Sequence, residues 1–381
     1  MALIFWLSIS LIIYSYLVYP LVLFLLSHFF KKKHTFIPST SSELPEVAVL
    51  ISAFNEESCI KERINNLLSL DYPHDKIKIY IGSDGSTDST NEILSKFDDP
   101  RLLIKLYIVN RGKANVLNEL VSQVTQPITI FSDANTNFES YAIKNLVRHF
   151  QDETVGAVCG ELNLYTPDGV DNKDNVYWRY EQFLKNCESK LDALLGANGA
   201  IYAIRTNLYK PIPKNTIVDD FLIVMNVAKA KYRVIYDTFA IAHEEVAPNI
   251  AEETKRRIRI GTGNYQAFAQ LTWALNPFIG WRFFSYFSHK ILRWFTPHFL
   301  ILAFLSNAYL LGLLTYNIIF IIQLISYALA IWGKKQSDMG NKIPTIISFL
   351  TFFVSMNIAL LKGFYNYAFK NVQGTWQRTP R

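Results

Sequence analysis

No Asp, Glu, Lys or Arg occurs between Met1 and Phe30. An uncharged stretch of this length exceeds the ~20 residues that a helix needs to cross the hydrocarbon of a bilayer. Lipid offers nothing to a backbone N–H or C=O, so a chain in that environment must be helical. Residues 1–30 are therefore expected to form a transmembrane helix, kinked at Pro20. A basic leading region, a short apolar run and a small-residue cleavage site would mark a signal peptide, and none of them is visible. Lys31, Lys32 and Lys33 follow at once, and the positive-inside rule then places the next segment in the cytoplasm and the N-terminus outside.

A second apolar region runs without charge from Phe295 to Trp332, long enough for two spans joined near Thr315–Asn317. Lys334, Lys335 and Lys342 mark a short basic loop, and a third apolar run from Pro344 to Leu361 precedes a basic tail, 370–381. The expected count is one helix before the middle of the chain and about three within 295–369. Three C-terminal spans would put the basic tail outside, against the rule, unless one run is re-entrant or interfacial. Residues 278–294 mix Trp281, Phe283, Phe284 and Trp294 with Arg282, Lys290 and Arg293. They read as a helix in the interface plane or, equally, as an amphipathic helix packed on the neighbouring domain.

These segments explain why the whole chain is 50% hydrophobic and only 18% charged. Three cysteines without metal-ligand spacing point to a reducing compartment rather than a disulfide framework or zinc site. A net charge of +6 from 38 basic and 32 acidic residues suits anionic lipid better than nucleic acid, which is not expected as a partner.

Residues 44–275 alternate short β-branched runs with helical patterns. Strands are expected at Val47–Ala53, Ile77–Gly82, Leu102–Val109 and Ile128–Phe131, with helices at Glu57–Leu70, Ser86–Phe97 and Gly112–Val124 between them. The series β-α-β-α-β-α-β predicts an α/β, Rossmann-like and mostly parallel sheet, whose ligand crevice lies at the carboxyl ends of the strands. A polar cluster follows every strand: Asn55-Glu56-Glu57, then Ser83-Asp84-Gly85-Ser86-Thr87-Asp88, then Asn110-Arg111-Gly112-Lys113, then Ser132-Asp133-Ala134-Asn135. Each could be ordinary turn and cap chemistry. Together they bring the carboxylates of Asp84 and Asp133 and the cations of Arg111 and Lys113 to one edge, a mixture suited to a nucleoside diphosphate with a divalent cation on its phosphates. Neither a P-loop nor a dinucleotide-binding glycine motif is present. Further on, Gly196-Ala197-Asn198-Gly199-Ala200 lets a ligand approach the backbone closely. Trp178 could stack on a sugar or pack in the core. Asp219 and Asp220 sit side by side between apolar residues, where burial and mutual repulsion raise a carboxyl pKa toward that of a general base. One of the two, Asp219 above all, could instead cap a helix.

This ordered set resembles the family 2 glycosyltransferases with a GT-A fold, specifically the membrane-bound branch that makes bacterial polysaccharides. The resemblance implies that Ala53, Asn55 and Glu56 belong to the first nucleotide-binding segment and that Asp84 binds base or ribose. Lys113 lies in the family's Gly-Lys-Ala segment. Asp133 and Asn135 occupy its D-x-D place as ligands of Mg²⁺ or Mn²⁺, with Asn standing for the second Asp. Asn198 and Gly199, with Trp178, would line the donor-sugar and acceptor site, and Asp220, with Asp219 beside it, would deprotonate the acceptor hydroxyl. Arg256 and Arg259 align with a Q-x-x-R-W segment in which the Arg faces the leaving diphosphate; Arg256 stands for Gln and Ile260 for Trp. The expectation is an inverting hexosyltransferase that moves sugar from a UDP-linked or similar donor to a lipid-linked or growing glycan. It would be a multi-pass protein of the plasma (inner) membrane with a cytosolic catalytic domain. The alternatives are a transferase that places one sugar on a polyprenyl phosphate and a non-catalytic membrane subunit of the same fold.

Overall fold

The computed structural model describes residues 1–32, 44–165, 174–245 and 250–370. The basic tail beyond Lys370, and Lys33, lie outside them. The chain forms two compact units. One contains Met1–Val22, the helix Ile250–Gln270 and residues 286–370; the other contains the chain from Leu23 through the sheet, together with Leu271–Ser285.

The second unit is built on eight strands: β1 (Val47–Ala53), β2 (Ile77–Asp84), β3 (Leu102–Tyr107), β4 (Ile128–Asp133), β5 (Thr136–Phe138), β6 (Val155–Tyr165), β7 (Tyr202–Arg205) and β8 (Arg233–Glu245). Their order is β3-β2-β1-β4-β7-β6-β8-β5. The first four are parallel, as expected, while β7 runs antiparallel to both β4 and β6, so the whole sheet is mixed. Every residue of β1 is buried, which is why it reads as an unbroken apolar run rather than an alternating one. Its neighbours on either side are β2 and β4. The chain thus reverses its direction of travel across the sheet at β1, and a crevice opens at the carboxyl ends of β1 and β4. Helix Lys113–Val121 approaches β2 so closely that a Cβ on Gly82 would fall 2.5 Å from Val116. The expected helix Ser86–Phe97 shortens to Thr90–Leu94, because the residues before it are engaged with the loop after β1.

Among the described residues, three helices are long and apolar enough to cross a membrane: Ala2–Phe29, Leu314–Asp338 and Thr345–Phe369. Thr296–Tyr309, the other C-terminal apolar run, has only 14 residues. At 1.5 Å per residue it reaches about 21 Å, short of the ~30 Å hydrocarbon core. Pro20 lacks the N–H that the carbonyl of Tyr16 would receive, and the turn Tyr14–Val18 just before it widens into a π-helical one. Tyr14 meets Ser288 there (Oη to Oγ 2.9 Å), and the Arg293 guanidinium lies 5.0 Å above the Tyr16 ring. Tyr286, Ser288, His289 and Arg293 are buried, so this part of the expected interfacial segment packs inside the first unit.

Helix Ile250–Gln270 crosses Thr345–Phe369 at two glycines. A Cβ on Gly363 would lie 2.6 Å from the carbonyl carbon of Gly261. Backbone stands on both sides and cannot yield, so Gly363→Val must separate the helices. Overpacking of this kind costs about 1–3 kcal/mol. The variant is expected to melt well below the parent in detergent, whereas Ile346→Val, at a position 83% exposed, leaves the melting temperature unchanged.

Candidate active site

The loops at the strand ends are tied together before any substrate arrives. Asn55 adopts φ 55°, a left-handed conformation that Asn tolerates. Its N–H donates to Ser86 Oγ at 3.0 Å, and its Oδ1 accepts the N–H of Thr87 at 2.7 Å. The N–H of Glu56 donates to Thr90 Oγ1 at 2.8 Å, and the Cys59 thiol donates to its carboxylate at 3.2 Å. Ala53 is fully buried. The expected nucleotide-binding segment is therefore a braced turn whose polar side chains hold the neighbouring loop.

Asp84 is inaccessible to solvent. Its two oxygens accept the N–H groups of Arg111 (2.9 Å) and Gly112 (2.8 Å). Gly112 has φ 87°, which a side chain would resist. Asp84 thereby shapes the turn from which Lys113 begins its helix.

Lys113 reaches into the crevice between two carboxylates, 2.8 Å from Asp133 Oδ1 and 3.3 Å from Asp219 Oδ2. Burial alone would lower its pKa, but Asp133 and Asp219 outweigh burial and hold the ammonium well above its usual range. Asp219 and Asp220 open the helix Asp219–Lys229, where its dipole favours negative charge. Asp219 is buried and Asp220 half-buried. Burial first, and then repulsion from Asp219, push the Asp220 carboxyl up to about 6, against the pull of Lys113. The third wall is Gly199. A Cβ there would stand 3.5 Å from Asp220 Oδ2 and 3.6 Å from Asp133 Oδ2. The missing side chain thus leaves a hollow faced by both carboxylates.

Two residues behind this hollow went unnoticed in the sequence. Arg63 is 1% exposed, donates to Ser132 Oγ at 2.7 Å and to Asn66 Oδ1 at 2.7 Å, and lies 4.3 Å from the centre of the Phe138 ring. Burial lowers its pKa to about 9, opposed by Asp133, and it stays charged at neutral pH. Ser132 passes the link on to the carbonyl of Ala200 at 2.7 Å. The signal was present, since Arg63 shares a helix face with Ile60, Ile64 and Leu67. Tyr202 is also buried, stacked on Phe131 with ring centres 4.8 Å apart. The nearby charges of Asp219 and Asp220 add to burial in raising its pKa.

Asn198 and Trp178 are both held by Lys185 and by backbone carbonyls of β6. Asn198 is held by Lys185 through Oδ1, and its amide donates to the Gly160 carbonyl at 3.2 Å. Trp178 packs on the sheet core, its Nε1 donating to the Leu162 carbonyl at 2.6 Å while Lys185 covers the ring at 5.7 Å. The expected sugar-stacking face is a core contact here. His243 lies 3.0 Å from Glu139.

Among the described residues no group of three His, Cys, Asp or Glu side chains could by itself hold a metal ion. The donor set still fits a hard cation that takes its remaining ligands from a diphosphate and water. Asp133 supplies carboxylate oxygen, and Asn135 two residues on would ligate through its amide oxygen; its buried nitrogen, a donor, has no hydrogen-bond partner and suits an acceptor oxygen of a ligand. Arg256 and Arg259 lie on helix Ile250–Gln270 in the other unit, where Arg256 pairs with Glu253 at 3.2 Å.

A mixed α/β sheet with acidic strand ends gathered at β1 and β4 is the GT-A architecture of enzymes that use sugar nucleotides. Two family models match this chain, "Glycosyl transferase family 2" over residues 48–207 and "Glycosyl transferase family group 2" over 130–333. The chain belongs to glycosyltransferase family 2. It is 22% identical over 261 residues to a poly-β-1,6-N-acetyl-D-glucosamine synthase of Staphylococcus epidermidis, a match spanning 65% of this chain and 62% of that one. A shorter match, 42% over 55 residues, links it to the probable glycosyltransferase YdaM of Bacillus subtilis, covering 14% of this chain and 13% of that protein. The chain thus spans less than two thirds of the length of these curated relatives. Among solved structures, a mannosyltransferase of Pyrobaculum calidifontis in complex with GDP-Man and Mn²⁺ superposes with a TM-score of 0.73 and 22% identity, over 97% of this chain and 99% of that one.

The hollow at Gly199 yields a direct test. Gly199→Ala places a methyl at ordinary van der Waals distance from both carboxylates, so folding and melting temperature are expected to stay at parental values. Turnover of the donor falls by at least tenfold, measured as nucleotide release, because the methyl fills space that substrate must enter.

Proposed function

We propose that the enzyme is an inverting transferase in which Asp220 is the general base. The observation that supports this most is its environment: a carboxylate on the Gly199 hollow, beside Asp219, whose pKa burial and repulsion bring to about 6. Such a group is ionised at neutral pH yet basic enough to accept a proton in the transition state. The acceptor hydroxyl gives its proton to Asp220 as its oxygen attacks the anomeric carbon. The bond from that carbon to the diphosphate oxygen breaks in the same step, its electron pair leaves with the nucleoside diphosphate, and configuration at the carbon inverts. Lys113 is the sheet domain's own cation for that developing charge. A Mg²⁺ or Mn²⁺ ion held by Asp133 and Asn135 would, when bound, neutralise the donor diphosphate. Asp84 orders the Arg111–Lys113 turn that meets the nucleotide.

The acceptor is a lipid-linked or growing glycan, and the reading is supported by the distant likeness to a polysaccharide synthase and by the apolar helices that flank the catalytic sheet. The enzyme resides in the plasma membrane with its sheet domain in the cytoplasm. With three spans, the basic tail falls on the same side as Lys31 and Lys32, which removes the conflict that four would create.

Asp220→Asn is expected to abolish transfer, to less than a thousandth of the parental rate, while calorimetry with Mn²⁺ and nucleoside diphosphate gives an unchanged Kd. Parental turnover in this variant would remove Asp220 from the mechanism. The sign of the pH dependence follows from the same assignment. Protonation removes the base, so kcat/KM of the native enzyme falls about tenfold per unit below pH 6 and levels off above it. A panel of nucleotide sugars with mass analysis of the products defines the donor; a product limited to one sugar on lipid would favour a polyprenyl-phosphate transferase over a polymerase.

A further inference from the structure

Arg282 belongs to residues 278–294, which the sequence marks as interfacial or amphipathic, yet its guanidinium turns into the sheet domain and is only 14% exposed. It makes four hydrogen bonds there. Nη2 donates to Asp192 Oδ1 (3.0 Å) and to the Tyr232 carbonyl (2.7 Å), Nε to the Asp192 carbonyl (3.2 Å), and Nη1 to the Ala228 carbonyl (2.6 Å). Two of these acceptors, Ala228 and Asp192, stand at the far ends of two pieces of chain that line the hollow, and Tyr232 follows the first of them. Ala228 lies in the last turn of helix Asp219–Lys229, whose first turn carries Asp219 and Asp220. Asp192, in a left-handed conformation at φ 58°, is the hinge from which residues 193–199 lead to Gly199. The two pieces also touch directly. Gly196 has φ 77°, and a Cβ on it would fall 2.4 Å from the Phe221 ring, next to Asp220. Lys32, just after the first apolar helix, adds a second cation to Asp192, 2.8 Å from Oδ2.

We propose that Arg282 is a positioning residue for sugar transfer: it holds the far end of the Asp219–Lys229 helix against the start of the 193–199 loop and so sets where Asp220 stands relative to Gly199. The proposal rests on Asp220 as the base. A planar fork with several donors is needed to hold carbonyls and a carboxylate at once. A lysine here would keep the charge and the Asp192 pair but could not hold the Ala228 and Tyr232 carbonyls together with it. Alignment errors near 1 Å are enough to lower turnover by about a hundredfold.

The test uses the full chain in lipid nanodiscs, with Arg282→Lys and Asp192→Asn compared against Arg148→Lys, which disturbs another buried ion pair of the same domain, Arg148 with Asp237 at 2.7 Å. Arg282→Lys and Asp192→Asn are expected to lower kcat at least tenfold while donor KM and nucleoside-diphosphate Kd stay within about twofold, and to shift the acidic limb of the pH profile. Arg148→Lys is expected to lower the melting temperature without changing kcat or that limb. If Arg282→Lys loses turnover only in proportion to its folded fraction, with kcat and the pH limb unmoved, the role is structural and the proposal is overturned. Should Arg282→Lys not fold, Asp192→Asn decides by the same criteria, since it leaves the bonds to Ala228 and Tyr232 in place. Parental turnover in Asp220→Asn would remove the base assignment by itself. An inactive Asp220→Asn with parental kcat in both Arg282→Lys and Asp192→Asn would overturn the positioning role alone.

Discussion

Three carboxylates converge at the ends of β4 and helix Asp219–Lys229, and Lys113 is what allows them to do so. Negative charges gathered out of water repel one another, and each would prefer to protonate or move apart. The Lys113 ammonium binds Asp133 and Asp219 directly and acts on Asp220 only through space. That inequality divides their work. Asp133 and Asp219 bind the ammonium directly, whereas Asp220 is left with burial and a repulsive neighbour, which push its carboxyl up to about 6.

The position of Lys113 depends in turn on backbone. Asp84 spends both oxygens on the N–H groups of Arg111 and Gly112, and Asn55 ties the first loop to the second. Residues that suggest direct contact with a nucleotide thus also hold each other, so the binding face is ordered in advance and little conformational freedom is lost when a donor arrives. Behind it, Arg63, Ser132 and the Ala200 carbonyl join β4 to the glycine loop through buried hydrogen bonds. A buried cation so arranged is expensive to desolvate, and its cost is offset by two hydrogen bonds, a ring face and the field of Asp133.

Much of this was legible in the residue pattern. The four parallel strands appear close to their expected limits because buried β-branched runs admit few other conformations, and the acidic and basic clusters fall at the carboxyl ends where connection rules put them. The reading was less secure where two physical explanations share one composition. Ser86–Thr90 could open a helix or brace a loop, and the bonds to Asn55 and Glu56 chose the loop. Trp178 could stack on sugar or join the core, and the Leu162 carbonyl drew its N–H inward. Arg282 could snorkel toward headgroups or turn into the domain, and its choice depends on carbonyls at Ala228 and Tyr232, 50 or more positions away in the chain. The apolar stretch after Phe295 is long enough for two spans by length, but its first helix stops at Tyr309 and falls short of a bilayer's thickness.

The sequence by itself determined that a charge-free helix precedes an α/β domain, that further apolar helices follow, and that acidic and basic residues meet at one edge of a parallel sheet. Those conclusions rest on local properties: the absence of charge over a span, the period of apolar residues, and the turn chemistry at strand ends. Tertiary structure alone decided which carboxyl has its pKa raised, which aromatic packs on the core, and which arginine faces inward. Proton affinity depends on distance to other charges and on exclusion of water, and a side chain's direction depends on which distant carbonyls need a donor. Neither quantity exists until the chain has folded.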